Sequence, residues 1–252
     1  DAGEADRKYF SRDNGLRIQA IRDIIHVWSA ASLLSQQELS WLIACLIEAA
    51  DKVANTASVY GAYLKHVKKS AQKRLQLTAL RPVPSTHPQD LHRVFCDDAP
   101  ELLNRLSPSE LQLIYIDPPY NHRQYASNYH ILETIAQWDL CSFEPRGVTG
   151  LRPPDDQRSE FCLRSVAYEA FRTLLQRLHS EYLLFSYNNE GLLSKDELQE
   201  LFVEFCTDVE FREVDYGRFR ADIDHQNRTY KADQTTEYLI LGRPRRQDAV
   251  EL

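Results

Sequence analysis

Residues 111–120 have the sequence LQLIYIDPPY, and this stretch indicates both the fold class and the position of a site. Its first six residues form a short apolar run, which predicts a buried β-strand. An acid, two prolines and a tyrosine follow the run directly. Open α/β sheets bind their ligands at the carboxyl ends of their strands. The stretch therefore predicts an α/β sheet with a ligand site in the four residues after the strand.

The residue types of this site suit a nucleobase. Asp117 supplies an acceptor for an amino group. Pro118 and Pro119 fix the backbone and leave a carbonyl pointing outward without a competing N–H. Tyr120 supplies a flat ring on which a base can stack. The combination suits an enzyme that holds an extruded base by its exocyclic amine. The alternative is a strand-to-loop turn in which the acid caps a helix.

The two parts of the chain differ in their periodicity. The first 82 residues contain two amphipathic helical patterns, one from residue 14 and one opened by a capping box at Ser35 and Glu38. The remainder alternates strands with helices. Further strands are predicted at 93–96, 182–187, 209–216 and 237–241, and helices at 100–106, 129–138, 166–178 and 194–205. We therefore expect a helical subdomain over residues 1–82 and an α/β core over residues 83–252.

The motif and several other stretches resemble the Dam-like class of N(6)-adenine-specific DNA methyltransferases. The similar stretches are residues 46–55, 115–125, 127–130, 132–133 and 185–191. The resemblance covers most of the chain. It implies a partial Rossmann-like methyltransferase sheet with a helical target-recognition subdomain. It also implies methylation of adenine N(6) in double-stranded DNA by base flipping, in a restriction-modification or related system, with S-adenosyl-L-methionine as cofactor.

The resemblance gives roles to particular residues. The catalytic motif is Asp117, Pro118, Pro119 and Tyr120, in which the Asp117 carboxylate and the Pro118 carbonyl accept the two amine hydrogens. For cofactor binding it implies Asp98, as acceptor for the cofactor's adenine amine, and Asp117 again. A plain helix N-cap is the open alternative for Asp98. No metal is required.

The chain departs from this class in one respect. The class uses a glycine-rich loop, upstream of the region seen here, to hold the methionine part of the cofactor. The eight glycines of this chain include no G-x-G arrangement, and the chain has no methionine. We therefore expect an N-terminal segment or a partner to supply the glycine-rich loop.

The distribution of charge favours double-stranded DNA as a partner despite a net charge of −7. The segment from Lys52 to Arg81 contains seven lysines and arginines and no acid. The predicted DNA-binding residues are Lys65, Lys68, Lys69, Lys73, Arg74 and Arg123. A solvated helix face is the alternative for the basic segment.

The five cysteines form no C-x-x-C pair and fall in apolar segments, which is typical of buried thiols in a reducing compartment. We expect a cytoplasmic, bacterial, nucleoid-associated protein without a membrane span. Two functional alternatives remain open. One is a methyltransferase acting on the cytosine amine or on the guanine amine of ribosomal RNA. The other is a catalytically silent DNA-binding fragment without the cofactor loop.

Overall fold

The structure is a computed structural model. It describes residues 7–83, 92–106, 111–139, 142–153, 157–217 and 234–245. Contacts divide the chain into two compact units. Unit 1 consists of residues 1–86 and 124–158, and unit 2 consists of residues 87–123 and 159–252.

Helices and strands are numbered in chain order. The helices are α1 (Arg12–Ala30), α2 (Gln36–Lys52), α3 (Ala99–Arg105), α4 (Tyr125–Asn128), α5 (His130–Gln137), α6 (Ala167–Gln176) and α7 (Lys195–Phe205). The strands are β1 (Leu113–Ile116), β2 (Tyr182–Asn188), β3 (Cys206–Gly217) and β4 (Gln234–Pro244). Among the described helices, none has the length and apolar character needed to cross a membrane.

Unit 1 is built from α1, α2, α4 and α5. The capping box predicted at Ser35 is confirmed, because Ser35 Oγ accepts from Glu38 N and the Glu38 carboxylate accepts from Ser35 N. Such reciprocal bonds satisfy backbone N–H groups that the first helical turn leaves unpaired. The helices enclose an apolar core of Ile18, Leu46, Ala49, Ala50, Val53, Leu75 and Ile135.

Residues 124–158 group with unit 1, whereas the sequence patterns place them in the α/β core. The reason is the packing of α5, whose Ile135 lies in the unit 1 core. The buried Arg22 of α1 fixes this packing. Its Nε donates to Ile135 O at 2.8 Å and its Nη2 donates to Ala136 O at 2.9 Å. A guanidinium at the end of a helix also interacts favourably with the helix dipole.

Unit 2 contains a mixed four-stranded sheet with the order β1-β2-β4-β3. β1 and β2 are parallel, and the connection between them includes α6. β4 is antiparallel to both β2 and β3. This arrangement confirms the predicted α/β fold class. Within the described part of the chain, β1 pairs with β2 alone and therefore forms an edge of the sheet.

The core of unit 2 holds β2 between aromatic side chains. The Phe185 ring of β2 lies 5.7 Å from the Phe171 ring of α6 and 5.3 Å from the Phe202 ring of α7, edge to face in both cases. Tyr187, two residues further along β2, packs against the same Phe171 at 5.8 Å. Edge-to-face pairs add to the stabilisation from area burial. The strand that borders β1 is therefore firmly placed.

The prediction of a strand at residues 93–96 is wrong. These residues have no regular secondary structure, and Val94 is 97% exposed. A strand forms only where its N–H and C=O groups find a neighbouring ladder. None of the described strands pairs with this segment. A local apolar alternation therefore did not produce a strand.

Candidate active site

The Asp-Pro-Pro-Tyr motif leaves the sheet at the carboxyl end of β1. Ile116 of β1 is paired in register with Phe185 of the parallel strand β2. Parallel neighbours end at the same edge of a sheet. The DPPY loop (residues 117–120) and the β2 loop (residues 189–193) therefore emerge beside one another, which is the position in an open α/β sheet where ligands bind.

The two loops are tied together through a buried tyrosine. Leu192 N donates to Tyr120 O at 2.8 Å and also lies 3.1 Å from the hydroxyl oxygen of Tyr187. Leu193 N donates to the same hydroxyl at 3.3 Å. Because Tyr187 is 1% exposed and packed among aromatic rings, it anchors the β2 loop, and the β2 loop in turn holds the backbone of the DPPY loop.

Gly191 permits this close approach. A Cβ at this position would lie 2.2 Å from Cε1 of Tyr187 and 2.9 Å from Asn188 O. Real Cβ atoms do not approach their neighbours so closely, so only glycine fits without a shift. The turn before it is fixed by Asn188, whose Oδ1 accepts from Glu190 N at 2.9 Å and whose Nδ2 donates to Glu237 Oε1 at 2.7 Å.

The chain beyond the motif is also held in unit 2. Asn121 Oδ1 accepts from Arg123 N at 2.9 Å, and the thiol of Cys162 donates to Arg123 O at 3.4 Å. Burial raises the pKa of the Cys162 thiol, so the sulfur keeps the proton that it donates. The Arg123 side chain itself is exposed and has no partner among the described residues.

The backbone of the DPPY loop is anchored, whereas its functional groups are not. Asp117 is exposed, and its carboxylate forms no hydrogen bond or ion pair with any residue that the structure describes. The Tyr120 ring, which is 40% exposed, likewise has no partner among these residues. Pro118 is buried, and its carbonyl accepts no hydrogen bond from the described residues. The loop is therefore held by Tyr120 O and its neighbours, while the carboxylate of Asp117 and the ring of Tyr120 are exposed to a ligand.

A cavity of about 470 Å³ lies beside the motif in unit 2. Its wall is mostly apolar and comes from α3, β1, α6, Phe161 and the first three residues of the DPPY loop. Small-molecule sites have volumes of about 300–1,000 Å³ and mostly apolar walls with a few polar groups. The Asp117 carboxylate supplies such a polar group here.

Asp98 is the N-cap of α3, where its Oδ1 accepts from Glu101 N at 3.4 Å. This is the capping role given above as the alternative for this residue. Asp98 also lines a second cavity of about 390 Å³ with Glu101, Glu160 and Arg177. Its contact with Glu101 N is long, so a carboxylate oxygen can still accept from a ligand. Binding of the cofactor by Asp98 stays a prediction.

The basic segment has no α-helix after Lys52, the last residue of α2, so the alternative of a solvated helix face does not hold. Its regular structure is one short 3-10 turn, Lys69–Gln72. Four of the five predicted DNA-binding cations in this segment are exposed and have no side-chain partner within the described part of the chain: Lys65, Lys69, Lys73 and Arg74. Lys68 differs, because its ammonium donates to Thr56 O at 2.8 Å and its side chain is half-buried. The DNA-binding role of all five stays a prediction.

Several residues that shape these sites carry no motif in the sequence. Tyr187 and Gly191 position the DPPY loop, and Asn14 and Asn55 hold the basic segment. The signal for Gly191 is its place directly after a strand and a polar turn. An asparagine in an otherwise apolar helical pattern is the signal for Asn14, because a buried amide needs partners.

Comparison with known proteins identifies the family. The model of the D12 class of N6 adenine-specific DNA methyltransferases matches residues 4–201. Type II methyltransferase M.NlaIII of Neisseria lactamica is 42% identical over 237 residues. M.FokI of Planomicrobium okeanokoites is 38% identical over 196 residues, and M.CviAII of Paramecium bursaria Chlorella virus 1 is 35% identical over 217 residues. No solved structure matches the chain.

These alignments cover most of the chain but less of the relatives. They include 94%, 78% and 86% of the chain, and 67%, 29% and 62% of M.NlaIII, M.FokI and M.CviAII. The family model spans the DPPY loop, the β2 loop and the basic segment together. The chain belongs to the D12 class of N6 adenine-specific DNA methyltransferases.

Proposed function

We propose that this chain methylates the N6 amine of adenine in double-stranded DNA and that the DPPY loop holds the extruded base. One observation carries the proposal. The Asp117 carboxylate, the Pro118 carbonyl and the Tyr120 ring have no partners among the described residues, while the backbone behind them is anchored through Leu192. A loop with this arrangement has a fixed shape, exposes the Asp117 carboxylate and the Tyr120 ring to a base, and leaves the carbonyl of the buried Pro118 without a hydrogen bond from the described residues.

The chemistry of adenine explains why these groups are needed. The lone pair of the exocyclic nitrogen is delocalised into the ring, which makes the amine a poor nucleophile. Two acceptors that take both amine hydrogens draw the lone pair out of conjugation and aim it. Asp117 and the Pro118 carbonyl serve as these acceptors. Tyr120 stacks on the base, and stacking contributes roughly 1–3 kcal/mol per base.

The methyl group comes from S-adenosylmethionine, whose sulfonium carries it when the cofactor is bound. The described residues fit this cofactor at two points. An exposed carboxylate at Asp117 suits a sulfonium cation, and the adjacent apolar cavity of about 470 Å³ has the size of a small-molecule site. We assign Asp98 to the adenine amine of the cofactor. No residue of this chain is assigned to its methionine end, since the sequence has no G-x-G loop.

DNA is held by the basic segment and by Arg123. Exposed cations neutralise phosphates and release counterions, which makes affinity depend on salt. We assign target recognition to unit 1, which carries the basic segment. The relatives are named type II methyltransferases, so we propose a modification role in a restriction-modification system. A DNA substrate would place the enzyme in the cytoplasm, with the nucleoid.

Product analysis tests the proposal. The chain is incubated with S-adenosylmethionine and duplex DNA, and the DNA is digested to nucleosides. We expect N6-methyladenine. N4-methylcytosine would contradict the assigned substrate. Calorimetry with S-adenosylmethionine alone separates an enzyme from a silent DNA-binding fragment, because saturable binding is expected of the enzyme and absence of binding would contradict the cofactor assignment.

A further inference from the structure

Within the basic segment, residues 64–75 are held at both ends by buried asparagine side chains. Between Leu64 and Leu75 the chain has one short 3-10 turn and otherwise no regular structure. Segments of this kind usually leave backbone groups to water. Here Asn55 and Asn14, which are 0% and 2% exposed, satisfy backbone groups at the start and at the end of the segment.

Asn55 fixes the first half. Its Nδ2 donates to Lys8 O and to Leu64 O, both at 2.9 Å, and its Oδ1 accepts from Lys68 N at 3.0 Å. The backbone adds a return bond, because Leu64 N donates to Asn55 O at 2.9 Å. One buried amide therefore holds the backbone on either side of Lys65 in a single conformation.

Asn14 fixes the second half from α1. Its Nδ2 donates to Lys73 O at 2.8 Å and lies 3.4 Å from Ala71 O, and its Oδ1 accepts from Leu75 N at 2.9 Å. Leu75 is itself part of the unit 1 core. The short stretch that contains Lys73 and Arg74 is therefore anchored on both sides by the same side chain.

We propose that Asn14 and Asn55 are positioning residues for DNA binding. Both are buried and neutral, so neither meets a phosphate. They keep the four exposed cations, Lys65, Lys69, Lys73 and Arg74, on a backbone that is already ordered before DNA arrives. Ordering a loop on binding costs affinity, and preorganisation removes that cost. This inference rests on the proposed DNA-binding function of the basic segment.

The test compares neutral substitutions in the full chain. Asn14→Ala and Asn55→Ala remove the anchors and leave every charge in place. Tyr9→Phe is the matched control, because it removes one buried hydrogen bond of unit 1, from Tyr9 Oη to Tyr60 O, outside residues 64–75. Lys69→Gln, Lys73→Gln and Arg74→Gln combined remove charge and leave the anchors. Gln72→Gly increases the backbone freedom on the exposed side of the segment. It replaces an asparagine variant in the comparison if that variant fails to fold.

Two readouts are measured for each variant. Hydrogen–deuterium exchange of peptides covering residues 64–75 reports the order of the segment. Fluorescence anisotropy with a short labelled duplex, repeated over a series of salt concentrations, gives Kd and its salt slope. For both asparagine variants we expect faster exchange in this segment and a Kd raised ~10-fold with the slope retained. Gln72→Gly should change both readouts in the same direction by a smaller factor, and Tyr9→Phe should leave Kd unchanged.

The triple charge variant separates the inference from the function on which it rests. We expect it to weaken binding and to reduce the salt slope by about 1 for each phosphate that the protein no longer neutralises. If it binds with unchanged slope, the DNA-binding surface is wrong and the positioning role falls with it. In the other contradicting outcome, the triple charge variant responds as expected while the asparagine or Gln72→Gly variants fold, exchange faster in residues 64–75 and still bind DNA with the Kd of the unmodified chain. That result would overturn the positioning role alone.

Discussion

Replacing Gly191 by alanine tests whether the β2 loop positions the DPPY loop. The added Cβ would lie 2.2 Å from Cε1 and 2.7 Å from Cζ of the Tyr187 ring. The ring cannot move aside easily, because it is 1% exposed and its hydroxyl accepts from Leu192 N and Leu193 N. The β2 loop must therefore shift, and Leu192 moves with it.

The loss of stability in Gly191→Ala follows from the clash between the added Cβ and the Tyr187 ring. Overpacking of a well-packed site destabilises proteins by typically 1–3 kcal/mol, and the rigid surroundings of Tyr187 favour a value of about 3 kcal/mol. Amide exchange in β2 and α7 should accelerate by roughly 100-fold, since 1.4 kcal/mol corresponds to a factor of ten. Methylation should also fall, because the bond from Leu192 N to Tyr120 O is broken or lengthened.

Gly15→Ala is the matched control. A Cβ at Gly15 meets nothing within 4 Å, and the residue lies in α1. Alanine should stabilise unit 1 by roughly 0.5–1 kcal/mol through helix propensity. Tryptophan fluorescence in urea measures this change, because Trp28, Trp41 and Trp138 all belong to unit 1. Gly191→Ala with normal exchange in β2 and normal methylation would refute the positioning role of the β2 loop.

Three further predictions concern single contacts. Tyr187→Phe should lower the free energy of unfolding of unit 2 by about 1–2 kcal/mol, because the N–H groups of Leu192 and Leu193 lose their acceptor. Unchanged hydrogen–deuterium exchange at these two amides would contradict this. Arg152 forms two hydrogen bonds, of 2.7 and 2.6 Å, with Asp139, and these hold the pKa of that carboxyl below its usual value. The pair therefore stabilises unit 1 at pH values above the ordinary carboxyl pKa. This contribution disappears as the pH falls through the lower pKa that Asp139 has in the folded state. In urea titrations followed by tryptophan fluorescence, Arg152→Met should lower the free energy of unfolding by about 1 kcal/mol more at neutral pH than at acid pH, where the bonds of Arg152 to Thr134 and Gln137 remain. An equal loss at both pH values would be inconsistent with the ion pair. Burial raises the pKa of Cys206 to about 11. Maleimide at neutral pH should therefore label the exposed Cys96 quickly and Cys206 only on unfolding. Early modification of Cys206, detected by mass spectrometry, would show that this thiol is accessible in the folded protein.

Short-range signals in the sequence predicted much of the fold. The capping boxes at Ser35 and Ser194 are both present as expected, because each depends on residues three positions apart. The strand before Asp117 and the final pair β3 and β4 also form as predicted. The predicted burial of the strand before Asp117 is wrong, because Leu113 and Tyr115 of this edge strand are 53% and 56% exposed. Local propensity and turn chemistry determine the capping boxes almost alone, whereas the strands also need the pairing partners that the fold provides.

Long-range contacts could not be predicted in the same way. α5 belongs to unit 1 because Arg22, 113 residues earlier, donates to its last carbonyls. Asn14 reaches across 59 residues to Lys73 O. The strand expected at residues 93–96 did not form, since pattern alone provides no pairing partner. For the site, the sequence predicted the chemical groups of the DPPY loop, but not the anchoring through Tyr187 and Leu192.

In the proposed mechanism, the Asp117 carboxylate accepts a hydrogen bond from the amine that is methylated. Single-turnover methylation by Asp117→Asn measures this most directly, with Asp208→Asn as the control, an exposed acid on β3 whose φ of 52° also suits asparagine. Because Asp117 has no partner among the described residues, its replacement should change stability by less than about 0.5 kcal/mol. We expect Asp117→Asn to bind DNA normally and to transfer methyl groups about 10²–10³-fold more slowly. A rate equal to that of Asp208→Asn would contradict the proposed mechanism.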